Sequence, residues 1–267
     1  MREVKRRLNA ADLAAIDLDD CIYPRNSHVE LTKNLFLDLL YSYRKAADLK
    51  LMLKLLRSSA LVAYYVTGKI FKTHLSNRFL LEEYERVMRN MPLHYFKKCA
   101  IDLPARVYMN SRKSLEILSA RMPTGIITVG FDTIVREFMT QFTSKGNSTL
   151  AFIDANRAVF REQNGEKLYD GFSRENAIMT ATDKWRRLKK RMEEYKAERP
   201  LVIGHRSDEI LMARRVRNGG GLSIGFNPDF DVERQFDIVV KARDWTPIMN
   251  LLKETYSTGQ KEEKNDE

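Results

Sequence analysis

Three carboxylates, Asp17, Asp19 and Asp20, crowd into four residues where the apolar run Leu13 to Ile16 ends. That run carries no helical period and reads as a buried strand. Asp17 and Asp19 stand two apart, so on a continuing strand both project from one face. Carboxylates crowded at a strand end repel unless a cation neutralises them. Mg²⁺ suits such a place, because it takes carboxylate oxygens and keeps several waters for a phosphate ligand. A carboxylate held beside it can attack phosphorus and form an aspartyl-phosphate. A second carboxylate two residues on can protonate the leaving oxygen and then deprotonate the hydrolytic water. The stretch Ala15 to Pro24 also reads as a strand running into an acidic turn, and the remainder of the chain has to decide.

Three further groups have the residue types that phosphoryl chemistry needs. Thr128 is polar near the end of the apolar run Gly125 to Val129. Its hydroxyl can bond a phosphate oxygen or simply cap the strand. Lys184, in Thr182-Asp183-Lys184-Trp185, would hold phosphoryl oxygens and offset the repulsion between Asp17 and a phosphate. Gly204-His205-Arg206-Ser207-Asp208-Glu209 is again a strand end opening into a helix with acidic residues. Asp208 and Glu209 can complete a metal site. Equally, Ser207 can cap the helix, with the two acids in its first turn.

These groups must be positioned by short apolar strands alternating with amphipathic helices. Strands are expected at Leu13–Ile16, Gly125–Val129, Leu150–Ile153, Leu201–Gly204, Leu222–Ile224 and Ile238–Val240. Helices are expected over 30–57, 59–74, 78–91, 111–122, 132–143, 174–198, 207–217 and 246–256. Residues 156–176 carry turn signals at Asn164-Gly165 and Asp170-Gly171 and read as a hairpin. The alternation predicts an α/β fold with a doubly wound parallel sheet. In such sheets the ligand lies beyond the carboxyl ends of the strands, which puts Asp17, Asp19, Thr128 and the 204–209 turn on one rim. The expected organisation is an α/β core of residues 1–24 and 105–256, a helical cap of residues 25–104 inserted after the first strand, and a charged, disordered tail of residues 257–267.

Composition narrows the class. The chain has 267 residues and an apolar share of 43%, enough for a sizeable core. Only Cys21 and Cys99 are present, which suits a reducing cytoplasm and gives no disulfide framework. No stretch offers about 18 uninterrupted apolar residues, so no spanning helix is expected. The net charge of +10 favours acidic partners. These include phosphorylated metabolites, an anionic lipid surface or an acidic protein. Nucleic acid is disfavoured, since no recognition motif accompanies the charge. The segment Leu51 to Phe71, flanked by Lys54, Arg57, Lys69 and Lys72, could rest on an anionic membrane or form the cap's own core.

Taken together, the order strand–acidic pair, helical insertion, strand–Thr, Lys, strand–Gly–acidic turn resembles the haloacid dehalogenase superfamily of phosphohydrolases. Within it, Thr128-Val129-Gly130-Phe131 and Ala155-Asn156-Arg157 resemble segments of the phosphoserine phosphatase branch. The resemblance implies a Rossmann-like core with a cap and a Mg²⁺-dependent phosphatase acting on a small phosphorylated metabolite. Asp17 would be the nucleophile and Asp19 the acid/base. Thr128, Val129, Gly130 and Lys184 would cradle the phosphoryl group. Asp17, the Asp19 carbonyl, Asp208 and Glu209 would hold the metal. Two departures stand out. The family's usual metal-binding Asp after the Gly is His205, and a neutral imidazole is a poor ligand for Mg²⁺. The glutamate that holds the substrate's amino group in phosphoserine enzymes is Asn26, with Glu30 the nearest acid. The alternatives are a binding or regulatory subunit that has kept the fold, or a phosphatase working on lipid at a membrane surface.

Overall fold

The computed structural model describes residues 1–24, 26–46, 77–143 and 150–262, with isolated positions between 53 and 63. Strands β1 (Leu13–Ile16), β2 (Thr124–Phe131), β3 (Phe152–Asn156), β6 (Pro200–Gly204), β7 (Leu222–Phe226) and β8 (Ile238–Val240) form one sheet in the order β3-β2-β1-β6-β7-β8. Every pairing in it is parallel. Parallel strands need crossover helices on both faces, and the apolar runs comply. In β1, Ala14 and Ile16 enter one hydrophobic cluster while Leu13 and Ala15 enter the cluster on the opposite face. The strand order reverses between β1 and β6, which makes the crevice beyond their carboxyl ends the topological switch point. Asp17 stands in that crevice, its backbone N–H donating to the Ile203 carbonyl of β6 at 3.0 Å.

Helices α2 (Ser27–Ala46), α3 (Asn77–Met88) and α4 (Leu93–Asp102) lie between β1 and β2. Apart from isolated helical positions between 53 and 63, the rest of the helical stretches expected over 30–57 and 59–74, and with it most of the segment Leu51 to Phe71, lies outside the described residues. α4 packs on α2 and on the core helix α6 (Asp132–Thr143), whose chain neighbour α5 (Ser111–Ser119) precedes β2. The expected hairpin forms as β4 (Ala158–Gln163) and β5 (Glu166–Phe172), turning at Asn164 and Gly165, both at positive φ. Asp170-Gly171 is no second turn: it lies inside β5, where Gly171 at φ +131 faces a shift in register. The hairpin is fastened to the inserted helices. Tyr169 donates its N–H to Met91 O at 2.7 Å and accepts from Asn90 N at 2.8 Å. Its ring packs with Phe96 and Phe131.

Helices α7 (Ala181–Tyr195), α8 (Ile210–Asn218) and α9 (Thr246–Glu262) complete the layers. The elements depart from the sequence reading at several ends, most of all in four places. The N-terminal residues form α1 (Arg2–Asn9), anchored by buried Leu8 and by Arg7, which pairs with Asp237 at 3.1 Å. Basic residues spaced along a polar helix give a weak apolar period, so the pattern hid it. α2 starts at Ser27 rather than near Glu30, because Asp19 and Asn26 supply its capping oxygens. α7 starts at Ala181 rather than Arg174, at a Thr180–Asp183 capping box. α9 runs on to Glu262 where a disordered tail was expected, since Gln, Lys and Glu continue a helix readily. Among the described residues, no helix is long and apolar enough to cross a membrane.

One contact ties the end of the chain to the acidic loop. Trp245 is fully buried, and its indole Nε1 donates to the Cys21 carbonyl at 2.7 Å. Trp245→Phe would remove the donor that Trp245 supplies to that carbonyl while leaving it buried, and would leave a gap beside it. We expect the unfolding free energy to drop by about 2 kcal/mol, read as a lower urea midpoint with an unchanged slope.

Candidate active site

Asp17 follows directly from β1 and is 5% exposed. One carboxylate oxygen, Oδ1, accepts from Lys184 Nζ at 3.1 Å. The other, Oδ2, lies 3.5 Å from His205 Nδ1. Burial pushes the Asp17 carboxyl well above its ordinary range; Lys184 opposes this, while Glu209, Asp208 and Asp19 reinforce it. Asp19 turns toward the inserted helices. Its Oδ1 accepts from Ser27 N–H at 2.9 Å and its Oδ2 from the Ser27 hydroxyl at 3.1 Å, so it caps the first turn of α2. Burial raises its pKa to about 7 against those two hydrogen bonds, with Asp20 adding to the rise.

Lys184 reaches the rim because α7 begins just before it. Asn156 fixes that start: its amide donates to Val129 O at 2.8 Å and to Ile178 O at 2.9 Å, and its oxygen accepts from Ile178 N–H at 2.7 Å. The Ala-Asn segment therefore clamps the end of β2 to the loop that launches α7. The ammonium, 1% exposed, meets Asp17, Asp208 at 2.8 Å and Glu209. Burial alone would lower its pKa; the three carboxylates overturn that and hold it well above the usual lysine value.

Thr128, Val129 and Gly130 leave the regular β2–β3 ladder at a register shift between Ile127 and Phe131. The Thr128 hydroxyl accepts from Gly130 N–H at 3.2 Å. At the end of β6, Glu209 folds back rather than outward. Its Oε2 accepts from His205 N–H at 3.1 Å and Arg206 N–H at 2.7 Å, while Oε1 faces Lys184. Glu209, not Ser207, thus caps this turn, which is a short 3₁₀ segment before α8 begins at Ile210. Gly204 is required here, because a Cβ would stand 2.4 Å from Glu209 Cγ. Asp208 keeps a carboxyl held below its ordinary range: Lys184 and Arg206 outweigh the cost of burial.

These groups surround one cavity of about 40 Å³, room for about three water molecules. Asp17, Asp19, Thr128, Val129, Lys184 and Asp208 line it from the core, as do His205 and Arg206. Gly130 and Glu209 stand behind the wall. The inserted helices close it with Asn26, His28, Leu81 and Tyr84. Four of the residues that shape the site carried no role in the sequence reading: Cys21, Ser27, His28 and Tyr84. Ser27 had a local signal, a small hydroxyl residue just ahead of an amphipathic run. His28 and Tyr84 had none, since they meet only in the fold. His28 is 4% exposed, stacks on Tyr84 at 4.8 Å and meets Phe131 edge-on at 4.7 Å. Neither of its ring nitrogens makes a hydrogen bond of ordinary geometry among the described residues. Asn26, at the place of the phosphoserine enzymes' glutamate, spends its side-chain oxygen on the His28 and Val29 N–H groups at 3.0 and 3.2 Å.

No family model and no curated protein sequence matches the chain. Solved structures do. A phosphoserine phosphatase complex with bound substrate superposes with a TM-score of 0.66 at 16% identity, covering 90% of this chain and 97% of that one. A haloacid dehalogenase family hydrolase from Salmonella enterica serovar Typhi gives 0.65 at 14% identity, covering 90% of this chain and 70% of that one. Cytosolic 5'-nucleotidase IIIB bound to cytidine gives 0.60 at 13% identity, covering 97% and 90%. The fold is therefore that of the haloacid dehalogenase superfamily. The likeness in fold extends to phosphoserine phosphatases.

Burial pushes the His28 imidazole down to about 4, against the pull of the nearby Val129 carbonyl. The unfolded chain binds this proton near pH 6.5 and the folded chain only near pH 4, so between the two the unfolded state holds more protons and stability falls as pH falls. Asp19, raised to about 7, acts in the opposite sense, so the whole curve hides the effect. His28→Phe keeps the stack on Tyr84 and removes the titration. From pH 7 to pH 5 the wild type should lose about 2 kcal/mol relative to this variant in paired urea denaturations. Parallel curves would show that His28 is not buried in neutral form.

Proposed function

We propose that the protein hydrolyses phosphate monoesters of small metabolites through an aspartyl-phosphate on Asp17. The observation that carries this reading is the position of Lys184, 3.1 Å from the Asp17 carboxylate at the floor of the cavity. A lysine there offsets the repulsion between an attacking carboxylate and a phosphoryl group. The Asp17 carboxylate attacks phosphorus, the bond from phosphorus to the ester oxygen breaks, and the leaving oxygen takes a proton from Asp19. Raised to about 7, Asp19 is partly protonated near neutral pH and can supply that proton. Water then enters, gives its proton to Asp19, and its oxygen displaces Asp17 as inorganic phosphate forms. Thr128 offers its hydroxyl to a phosphoryl oxygen, and Gly130, whose N–H donates to that hydroxyl, holds it in place rather than meeting the phosphate. The likeness in fold to phosphoserine phosphatases and a 5'-nucleotidase supports this class of reaction.

The wall above the phosphoryl site favours a neutral leaving group. Asn26 is committed to the α2 backbone, and His28, Tyr84 and Leu81 offer an imidazole and two apolar faces. Among the described residues, no carboxylate from the inserted helices lines the cavity to hold a substrate ammonium, so an alcohol with a hydroxyl or a ring is a better fit than phosphoserine.

Mg²⁺ is the cation such folds usually employ, and it would supply charge neutralisation for the phosphate. The residues beside Asp17 Oδ2 do not fit it. They are the nitrogen of His205, 3.5 Å away, and the thiol of Cys21, 3.7 Å from that nitrogen. Mg²⁺ demands oxygen donors in an octahedral set. Of the expected oxygen ligands, Glu209 has both oxygens on the protein's own donors and Asp208 is paired with Lys184 at 2.8 Å; Asp19, whose side-chain oxygens accept from Ser27, was expected to give only its carbonyl. The same substitution favours a second reading, in which the fold serves as a binding subunit without turnover.

Hydrolysis of an aryl phosphate by the wild type, with loss of several orders of magnitude in Asp17→Asn, is the expected result. Activity that survives Asp17→Asn unchanged would sink the covalent mechanism. A folded wild type that hydrolyses no ester in a broad panel favours the binding subunit.

A further inference from the structure

The end of β1 and the end of β6 bring three donors of different chemistry to one corner. Asp17 Oδ2 and Cys21 Sγ lie 3.5 and 3.7 Å from His205 Nδ1. All three donor atoms fall within 4.8 Å of one another, and all three side chains are buried. A cation bound tetrahedrally at ordinary zinc distances to sulfur, nitrogen and oxygen places its sulfur and nitrogen ligands about 3.5 Å apart, and its nitrogen and oxygen ligands about 3.3 Å apart. The two separations to His205 Nδ1 are within a few tenths of an ångström of those edges, and the oxygen and sulfur lie within 4.8 Å of each other.

The surroundings fit as well. The other ring nitrogen of His205, Nε2, is buried without a hydrogen-bond partner among the described residues. It lies 3.8 Å from Asp20 Oδ2. A carboxylate behind a ligating imidazole is the usual arrangement in zinc sites, where it fixes the ring and raises its basicity. Asp20 is carried there by a left-handed backbone, φ +55. Trp245 holds the Cys21 carbonyl and so fixes the loop that presents the thiol. Asp17 and His205 also line the cavity, which leaves a coordination position open toward it.

We propose that Asp17, Cys21 and His205 form a binding site for a divalent cation of the zinc and cobalt class, in place of the Mg²⁺ usual in this fold. A mixed set of oxygen, nitrogen and thiolate sulfur selects borderline and soft ions over hard ones. The cation displaces the Cys21 proton to solvent on binding. The site does not depend on the phosphatase reading, because the same three donors bind whether or not Asp17 attacks phosphorus.

Titration of the chelator-treated full-length protein with Co²⁺ tests this directly. The expected result is one equivalent bound, with a thiolate-to-cobalt charge-transfer absorption that Zn²⁺ abolishes and a large excess of Mg²⁺ leaves in place. Cys21→Ser should lose the absorption and weaken Zn²⁺ binding at least about 100-fold. Cys99→Ser should keep both, since the Cys99 thiol faces the Ser27 carbonyl instead. His205→Asp provides a second variant that keeps the thiol and turns the set toward oxygen, and it should shift preference from Zn²⁺ toward Mg²⁺. Absence of the absorption in the wild type, its persistence in Cys21→Ser, or displacement by Mg²⁺ as readily as by Zn²⁺ would overturn the proposal. Aryl phosphate hydrolysis is measured separately. Cobalt bound through Cys21 with no turnover refutes the phosphatase reading alone, and turnover without thiolate binding refutes the metal assignment alone.

Discussion

A buried ammonium among buried carboxylates is the interaction on which the site depends. Lys184 is 1% exposed and meets Asp17, Asp208 and Glu209. An isolated charge at that depth would be strongly disfavoured, and removing one partner of such a group leaves the others uncompensated. The three carboxylates come from two strand ends and the lysine from a helix, so no single element forms the cluster. β1 and β6 must sit side by side, and α7 must begin where Asn156 holds its leading loop. The sheet order, the Asn156 clamp and the Glu209 turn all serve one electrostatic arrangement. It also explains the commitment of Glu209: a carboxylate that neutralises a buried ammonium and caps two backbone N–H groups is fixed in place.

The sheet was legible because parallel strands buried on both faces must be short apolar runs. All six such runs became strands of one sheet, in the doubly wound order. The hairpin was legible from Asn164-Gly165, whose positive φ values a tight turn requires. What stayed hidden has a common physical cause. α1 is held by ion pairs and one leucine, which leave little apolar period in the sequence. Asp19 capping α2 and Glu209 folding back on His205 and Arg206 are side-chain choices made by burial and hydrogen bonding, and residue type does not reveal them. Ser207 looked like the cap, with Asp208 and Glu209 as first-turn acids or metal ligands; only the packing made Glu209 the cap.

The site also shows why motif order and site chemistry must be read separately. The order of acidic strand end, Thr128, Lys184 and Gly204 to Glu209 follows the fold, and the fold is confirmed by structures only 13 to 16% identical. At that distance the backbone survives while donors change. His205 and Cys21 share a corner because the same two strand ends that would bring carboxylates together bring them instead. A substitution from oxygen to nitrogen beside Asp17 changes which ions the corner accepts without disturbing the sheet beneath it.

The inserted helices are coupled to the chemistry through Asp19. Its two oxygens accept the N–H and hydroxyl of Ser27, the first residue of α2. The same bonds oppose the effect of burial on its proton affinity, and the balance leaves it near 7. Drawing α2 away would remove the bonds and admit water together. Restored hydration outweighs the lost bonds, because burial is the larger of the two effects. Asp19 would then fall back toward an ordinary carboxylate and release its proton. In the proposed reaction Asp19 is therefore matched to the role of general acid only while the helices cover it, which would link substrate enclosure to proton transfer through a single residue.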